Sequence, residues 1–425
     1  MELVILFGVF AVLLLAGVPV AFALGASAIA TMAWLDIPLI VAFQRMAAGM
    51  NVFALMAIPF FIYAGELMNH SGIAERLVRF AHSLLGRVRG GLGQVNVLAS
   101  MMFGAVSGSA VASASAMGSA LVPVMKEEGY DPDYSVDVTI SAATTGLLIP
   151  PSHNMIIYAI AAGGLPIGAL FLAGVVPGLM LGMALMVVAY IIARRRGYPA
   201  GEFPGWLIVA KTFVYAIPGL LSAVIIVGGI LSGVFTATES SAIAVIYTMI
   251  VSALVYRSLD RKAFVRASLS AVRTTAMVLL VIGTAAAFGW VLAVTEVPLR
   301  LSNAMLEISS NPIVILLLIN LILLALGTFM DMSPLIVIST PIFLPVAIEL
   351  GVDPVHFGII MILNLGTGLI TPPVGSVLFV GSAVGGVRIE EAIRGLWPFY
   401  LAFIVMLGLV TYVPAISMTL PGLFQ

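Results

Sequence analysis

The 425 residues are 62% apolar and only 9% charged, against roughly 25% charged in a soluble domain, and with a mean hydropathy of +1.19 a water-soluble fold is excluded. The 18 basic and 19 acidic side chains nearly cancel, which removes net charge as a basis for nucleic-acid binding. Zero cysteines exclude disulfides and thiolate metal sites, the four histidines (His70, His82, His153, His356) are too scattered for a local metal motif, and none of Lys126, Lys211 and Lys262 follows a glycine as a phosphate-cradling loop requires.

Apolar segments run at about 3 to 16, 20 to 35, 51 to 69, 91 to 125, 134 to 163, 165 to 193, 206 to 231, 234 to 256, 274 to 296, 312 to 348, 354 to 386 and 396 to 420. In lipid each must close its own backbone hydrogen bonds, so the fold class is all-α and polytopic. The first segment lacks a basic leader and is expected to be retained. The stretches 72 to 89 and 258 to 270 interleave Arg with apolar residues and are expected to form interfacial helices.

Basic residues fall in four clusters: Arg76 to Arg89; Arg194 to Arg196 with Lys211; Arg257 to Arg273; and Arg388 with Arg394. All should face the cytoplasm, so the number of crossings between clusters must be even. Three apolar segments separate Arg89 from Arg194, and the parity is restored if 91 to 125 is a re-entrant hairpin. Its centre, with Gly104, Ser107, Gly108, Ser109, Ser113 and Ser115, is small, polar and broken by glycine. The same reading applies to 312 to 348, broken between Gly327 and Pro334. With both hairpins, only Arg45 and Arg300 remain outside.

An internal repeat follows. Pro123, Gly129, Asp131-Pro132, Thr145-Gly146 and Pro150-Pro151 recur as Pro345, Gly351, Asp353-Pro354, Thr367-Gly368 and Pro372-Pro373, each pair 222 positions apart. Residues 1–203 would hold crossings within 1–90, a hairpin at 91–128, a broken helix at 134–163 and a helix at 165–193. Residues 204–425 would hold crossings within 206–296, a hairpin at 312–348, a broken helix at 354–386 and a helix at 396–420. Five crossings per half invert the second half relative to the first, which is transporter architecture.

The doubled prolines are the chemical signal. Proline removes a donor, clashes with the preceding turn and disfavours helix at the residue before it, so the chain should unwind at about 146 to 152 and 368 to 374. Unwinding frees carbonyls for Na⁺ and exposes a half-helix N-terminus to an anion. The hairpin tips add oxygen beside each break: Ser107, Ser109, Ser113 and Ser115 in the first, Thr328, Asp331 and Ser333 in the second. Asp331 stands out because an ionisable group at membrane depth is costly and reads by default as functional. Glu239 is read either as a helix cap or as a participant, His153 either as a substrate or proton ligand or as an ordinary histidine, and Gly174, Gly178 and Gly182 as a helix-packing stripe.

Phe103-Gly-Ala-Val-Ser-Gly-Ser109, Gly146-Leu-Leu-Ile-Pro-Pro-Ser152, Leu326-Gly-Thr-Phe-Met-Asp331 and Gly368-Leu-Ile-Thr-Pro-Pro373 together resemble the large membrane (M) subunit of tripartite ATP-independent periplasmic (TRAP) transporters, over essentially the whole chain. Divalent anion/sodium symporters share the Pro-Pro breaks but carry Ser-Asn-Thr at the hairpin tips, where this chain has Ser107-Gly-Ser109 and Met330-Asp-Met332. The resemblance implies Na⁺-coupled import of an organic acid such as a C4-dicarboxylate or sialic acid across the bacterial inner membrane by an elevator movement. It also implies a small four-helix membrane (Q) subunit and a periplasmic substrate-binding (P) protein as partners, and no enzyme activity. By position, Na⁺ would be held by Ser107, Gly108 and Ser109 with Gly146 and Pro150, and by Gly327, Met330 and Asp331 with Gly368, Thr371 and Pro373. Substrate would lie near Ser109, Ser152, Asn154 and Asp331. A stand-alone divalent anion/sodium symporter is the alternative, and an ion-translocating subunit of a respiratory enzyme is a third reading.

Overall fold

The computed structural model describes residues 1–309 and 311–424. Among them the only pairing of extended chain is a single antiparallel bridge between Arg89 and Ala200. The chain is an all-helical polytopic membrane protein, as its backbone must be where water cannot satisfy it. The first half contains α1 (Glu2–Leu15), α2 (Val20–Trp34), α3 (Ile40–Met50), α4 (Ala57–Asn69), α5 (Ile73–Leu85), α6 (Gly91–Ser107), α7 (Ala110–Glu127), α8 (Pro132–Ala143), α9 (His153–Ala161) and α10 (Ile167–Arg196). The second contains α11 (Trp206–Leu231), α12 (Ala237–Ile250), α13 (Arg261–Val294), α14 (Val297–Ile308), α15 (Pro312–Gly327), α16 (Met332–Glu349), α17 (Pro354–Gly368), α18 (Ser376–Gly385), α19 (Ile389–Gly395), α20 (Trp397–Tyr412) and α21 (Ala415–Phe424).

Among the described residues, five helices are long and apolar enough to cross a membrane: α10, α11, α12 extended by a π-helical turn to Val255, α13 and α16. Two bent pairs also qualify, α3 with Phe53–Asn69 at 64° and α19 with α20 at 56°. Burial separates lining from interior. Only 22% of the apolar window of α11 is buried, so it offers its surface to lipid, whereas 72% of that of α16 is enclosed by protein.

Two packed groups result. Helices α2, α3, α4, α12 and α13 pack on one another, and the pairs α6/α7 and α15/α16 pack with α8, α9, α17 and α18. The halves interlock: α18 lies on α7 and α8, and α9 on α16 and α17. Small residues allow the close approach, since a side chain at Gly381 would strike Ile140 and one at Gly385 would strike Val136. Contacts of α4 with α6 and of α13 with α16 join the two groups.

Three expectations change. The stretch 258 to 270 is not a separate interfacial helix. Asp260 caps α13 by accepting from the Ala263 N–H at 2.6 Å, and with no proline to stop it the helix runs unbroken for 34 residues, roughly 51 Å. The expected helix at 396–420 is two helices, because the chain leaves helical geometry at Val413 and Pro414 before α21 begins. Helices α3 and α14 were not expected at all; Gln44 and Arg45 in one, Arg300 and Asn303 in the other, interrupt the apolar runs. The amphipathic α5 does form within 72 to 89, opened by Gly72 in the left-handed conformation.

Candidate functional site

Each hairpin tip is built by a residue that ends one helix and caps the next. Helix α6 stops at Ser107, Gly108 turns the chain with φ +63, and the Ser109 hydroxyl accepts from the Ala112 N–H at 3.3 Å to start α7. In the second half α15 stops at Gly327, Thr328 to Met330 form the turn, and Asp331 occupies the N-cap of α16 without a side-chain capping bond.

Each break sits against its tip. After α8 the chain tightens into a 3-10 turn at Thr144–Leu147 and loses helical geometry until His153. After α17 it is non-helical from Leu369 to Gly375. Pro150-Pro151 and Pro372-Pro373 are both cis. Glycine contacts hold the parts together: a methyl group on Gly104 would collide with Gly146, and one on Gly368 would lie 2.6 Å from the Gly327 carbonyl carbon. A methyl group on Gly108 would lie 2.9 Å from the Pro151 carbonyl oxygen and 3.4 Å from the Ser152 Cα. The C-terminal end of α6, with its unsatisfied carbonyls, therefore meets the N-terminal end of α9, with its unsatisfied N–H groups. In the second half the Val374 N–H donates to the Thr328 carbonyl at 3.1 Å, and the Ser376 hydroxyl donates to Asp331 Oδ1 at 3.3 Å.

The structure thus brings Ser107, Gly108 and Ser109 to the Gly146–Ser152 break, and Gly327, Met330 and Asp331 to the Gly368–Ser376 break. Thr371 donates its hydroxyl to the Thr367 carbonyl at 2.7 Å, and Pro373 is exposed. Between the halves, the Ser333 hydroxyl donates to Asn154 Oδ1 at 3.1 Å, tying the helix after the first break to the second hairpin. No hydrogen bond among the described residues joins Ser109 or Ser152 to Asp331. The Gly174, Gly178, Gly182 stripe faces this region: side chains there would strike the Leu148 carbonyl, Ile149 and Met101 respectively. Glu239 completes a capping box with Thr236, its carboxylate accepting from the Thr236 N–H at 2.8 Å. His153 opens α9 and makes no hydrogen bond among the described residues.

Several buried oxygens on these elements lack partners. Ser107, Ser113, Ser141 and Ser152 in the first half, and Asn364 and Ser382 in the second, each have a buried side-chain oxygen with no hydrogen bond. Leaving such a group unsatisfied costs about 1 to 3 kcal/mol, which a bound ligand would recover.

Sequence reading missed several residues of this region. Asn364 donates to the Asn320 carbonyl at 2.9 Å and to its Oδ1 at 2.8 Å, and Asn320 donates to Thr411 at 3.1 Å. Both lie in uninterrupted apolar runs, where a lone carboxamide is itself a signal. The Tyr400 hydroxyl donates to the Ile370 carbonyl at 2.7 Å, satisfying one group freed by the second break.

A family model described as "Tripartite ATP-independent periplasmic transporter, DctM component" matches residues 7–416. The chain is 41% identical over 413 residues to the sialic acid TRAP transporter large permease protein SiaM of Vibrio cholerae, covering 97% of this chain and 96% of that one. It is 43% identical over 373 residues to the C4-dicarboxylate TRAP transporter large permease protein DctM of Pseudomonas aeruginosa, covering 87% and 86%. Among solved structures, the YdaH transporter of Alcanivorax borkumensis is similar in fold, with a TM-score of 0.62 at 14% identity over 90% of each chain.

Proposed function

Because the chain belongs to the DctM component family of tripartite ATP-independent periplasmic transporters, as a large permease of the bacterial inner membrane, we propose that it imports an organic acid together with Na⁺. The substrate class follows the relatives, which are named for sialic acid and C4-dicarboxylates. A small four-helix membrane subunit and a periplasmic binding protein complete the system in this reading.

The two halves are inverted repeats, and each tip with its break holds a cation. Ser107, Gly108, Ser109, Gly146 and Pro150 form one site; Gly327, Met330, Asp331, Gly368, Thr371 and Pro373 form the other. Carbonyls and hydroxyls are the hard oxygen donors that Na⁺ takes. The organic anion lies between the tips near Ser109, Ser152, Asn154 and Asp331, held by half-helix N-termini and the bound cations. No ATP is needed, because the sodium gradient supplies the work. The hairpins and broken helices move as one body against the group containing α2, α4, α12 and α13, which is an elevator movement.

The observation that carries this reading is that in each half a hairpin tip packs against a broken helix at matched positions, with buried oxygens that lack partners on the elements around both. The test is uptake into proteoliposomes containing the permease, its small subunit and its binding protein. Uptake should stop when choline replaces sodium, and Asp331→Asn should reduce Na⁺-driven uptake by about tenfold or more, the loss of one charged ligand. Uptake indifferent to sodium refutes the reading, and uptake by this chain alone favours a stand-alone symporter.

A further inference from the structure

A cavity of about 740 Å³ opens between the α4–α5 corner and the flank of α7, lined by Asn69, His70, Glu75, Arg79, Ser115 and Ser119 among others. We propose that it is an anion vestibule, a second binding place for the carboxylate of the transported acid at the cytoplasmic end of the path. This rests on the transport reading above.

The first support is continuity. Helix α7 begins at the Ser109 tip, and Ser115 and Ser119 follow at spacings that place them roughly 9 and 15 Å further along its axis. Those two serines are one turn apart and share a face. Helix α7 thus runs from the tip of the first hairpin to the cavity, where Ser115 and Ser119 line the wall.

The second support is an uncommitted cation. Arg79 is exposed, lines this cavity and also a second one of about 330 Å³ with Lys211. It makes no ion pair or hydrogen bond among the described residues, although Glu75 stands four positions before it on the same helix. Its neighbour Arg76 is engaged, donating to the Gly72 carbonyl at 2.7 Å and lying over the Tyr256 ring at 3.8 Å. A planar fork with no protein partner is suited to a carboxylate. The buried Oδ1 of Asn69 also has no partner, so the wall offers an acceptor for a hydroxyl of the same molecule. Volume agrees as well, since sites for small organic ligands span about 300 to 1,000 Å³.

The side of the membrane follows from charge. Arg76, Arg79, Arg87 and Arg89 cluster at this end, the distribution of a cytoplasmic face. An acid released from the hairpin tip would meet Arg79 before bulk water.

The absence of natural cysteine allows a direct test with Ser115→Cys and Ser119→Cys in the assembled three-component transporter in phosphatidylcholine vesicles. A sulfonate-bearing and a trimethylammonium-bearing methanethiosulfonate are applied from the cytoplasmic side, with modification rates normalised to those of Gly197→Cys, which caps α10 directly after the Arg194 to Arg196 cluster. Both serine positions should be modified, with the anionic reagent favoured about tenfold over its ratio at the reference position. Arg79→Gln should abolish that preference, and Arg79→Lys should retain most of it. The vestibule is overturned if either position stays unmodified from that side, or if the preference is absent or survives Arg79→Gln. Because the labelling needs neither sodium nor substrate, its failure is separable from failure of Na⁺-driven uptake.

Discussion

Gly146 at the first break and Gly327 at the second hairpin tip each face a glycine of the packed partner element, yet they tolerate different changes. A methyl group on Gly146 would collide with the Gly104 backbone, whereas one on Gly327 would lie 3.3 Å from the Gly368 Cα. Gly146→Ala should therefore lower stability by about 1 to 3 kcal/mol, seen as a lower thermal midpoint in detergent, and Gly327→Ala by clearly less; equal midpoints would contradict the close packing. Asp137 is a different case. It is 1% exposed, its Oδ1 has no partner, and it lies against Gly395. Asp137→Asn keeps the shape and still leaves a buried polar group, so the thermal midpoint should change by less than the equivalent of about 1 kcal/mol, and a larger drop would show that the carboxyl has a partner. The glycines and prolines at the breaks were legible because they repeat at 222 positions. Asp137 was not, since its counterpart is Ile359, and Asn364 was not, since its counterpart is Ala142. A residue unique to one half leaves no trace in the repeat.

Helix ends carry most of what the elements add. The turn before α8 is fastened to the end of α10 by Arg196, which donates to Asp131 Oδ2 at 2.9 Å and to Asp133 Oδ1 at 3.0 Å, while Tyr198 donates to Asp131 Oδ2 at 2.7 Å. The hydrogen bond from Arg196 holds the Asp133 carboxyl below the ordinary aspartate value of 3.8. A carboxylate with a depressed folded-state pKa stabilises above its unfolded value and loses that contribution as pH falls through the folded one. Arg196→Gln should thus lower the thermal midpoint at pH 7, by under about 1 kcal/mol because the pair is partly exposed, and the difference should shrink as pH falls below 3.8. A difference that does not shrink on acidification would assign the effect to packing. Element positions were legible where a single residue type dictates the geometry, as at the Gly108 turn or the proline pairs. They were not where amphipathic helices abut apolar ones. The Arg-bearing turns of α13 continue into its apolar part because no residue stops them, and the polar side chains of α3 and α14 hid two helices in the intervening stretches.

For the whole molecule, composition and charge placement led to a polytopic helical protein, and the coordinates and family relationship agree with it. The interlocking of α18 with the first hairpin and of α9 with the second was not visible in the chain, because such contacts depend on how two distant segments fold back. That interlocking lets both breaks belong to one moving body, so the proposed elevator rests on the halves having opposite orientations. Glu128 and Leu350 lie 222 positions apart at the outer ends of the two hairpins, the first exposed and the second partly so. In this naturally cysteine-free chain, Glu128→Cys and Leu350→Cys can be labelled with a membrane-impermeant maleimide in sealed cells and in inverted vesicles. The account predicts that residue 128 is labelled only from the cytoplasm and residue 350 only from the periplasm; labelling of both from the same side would contradict it.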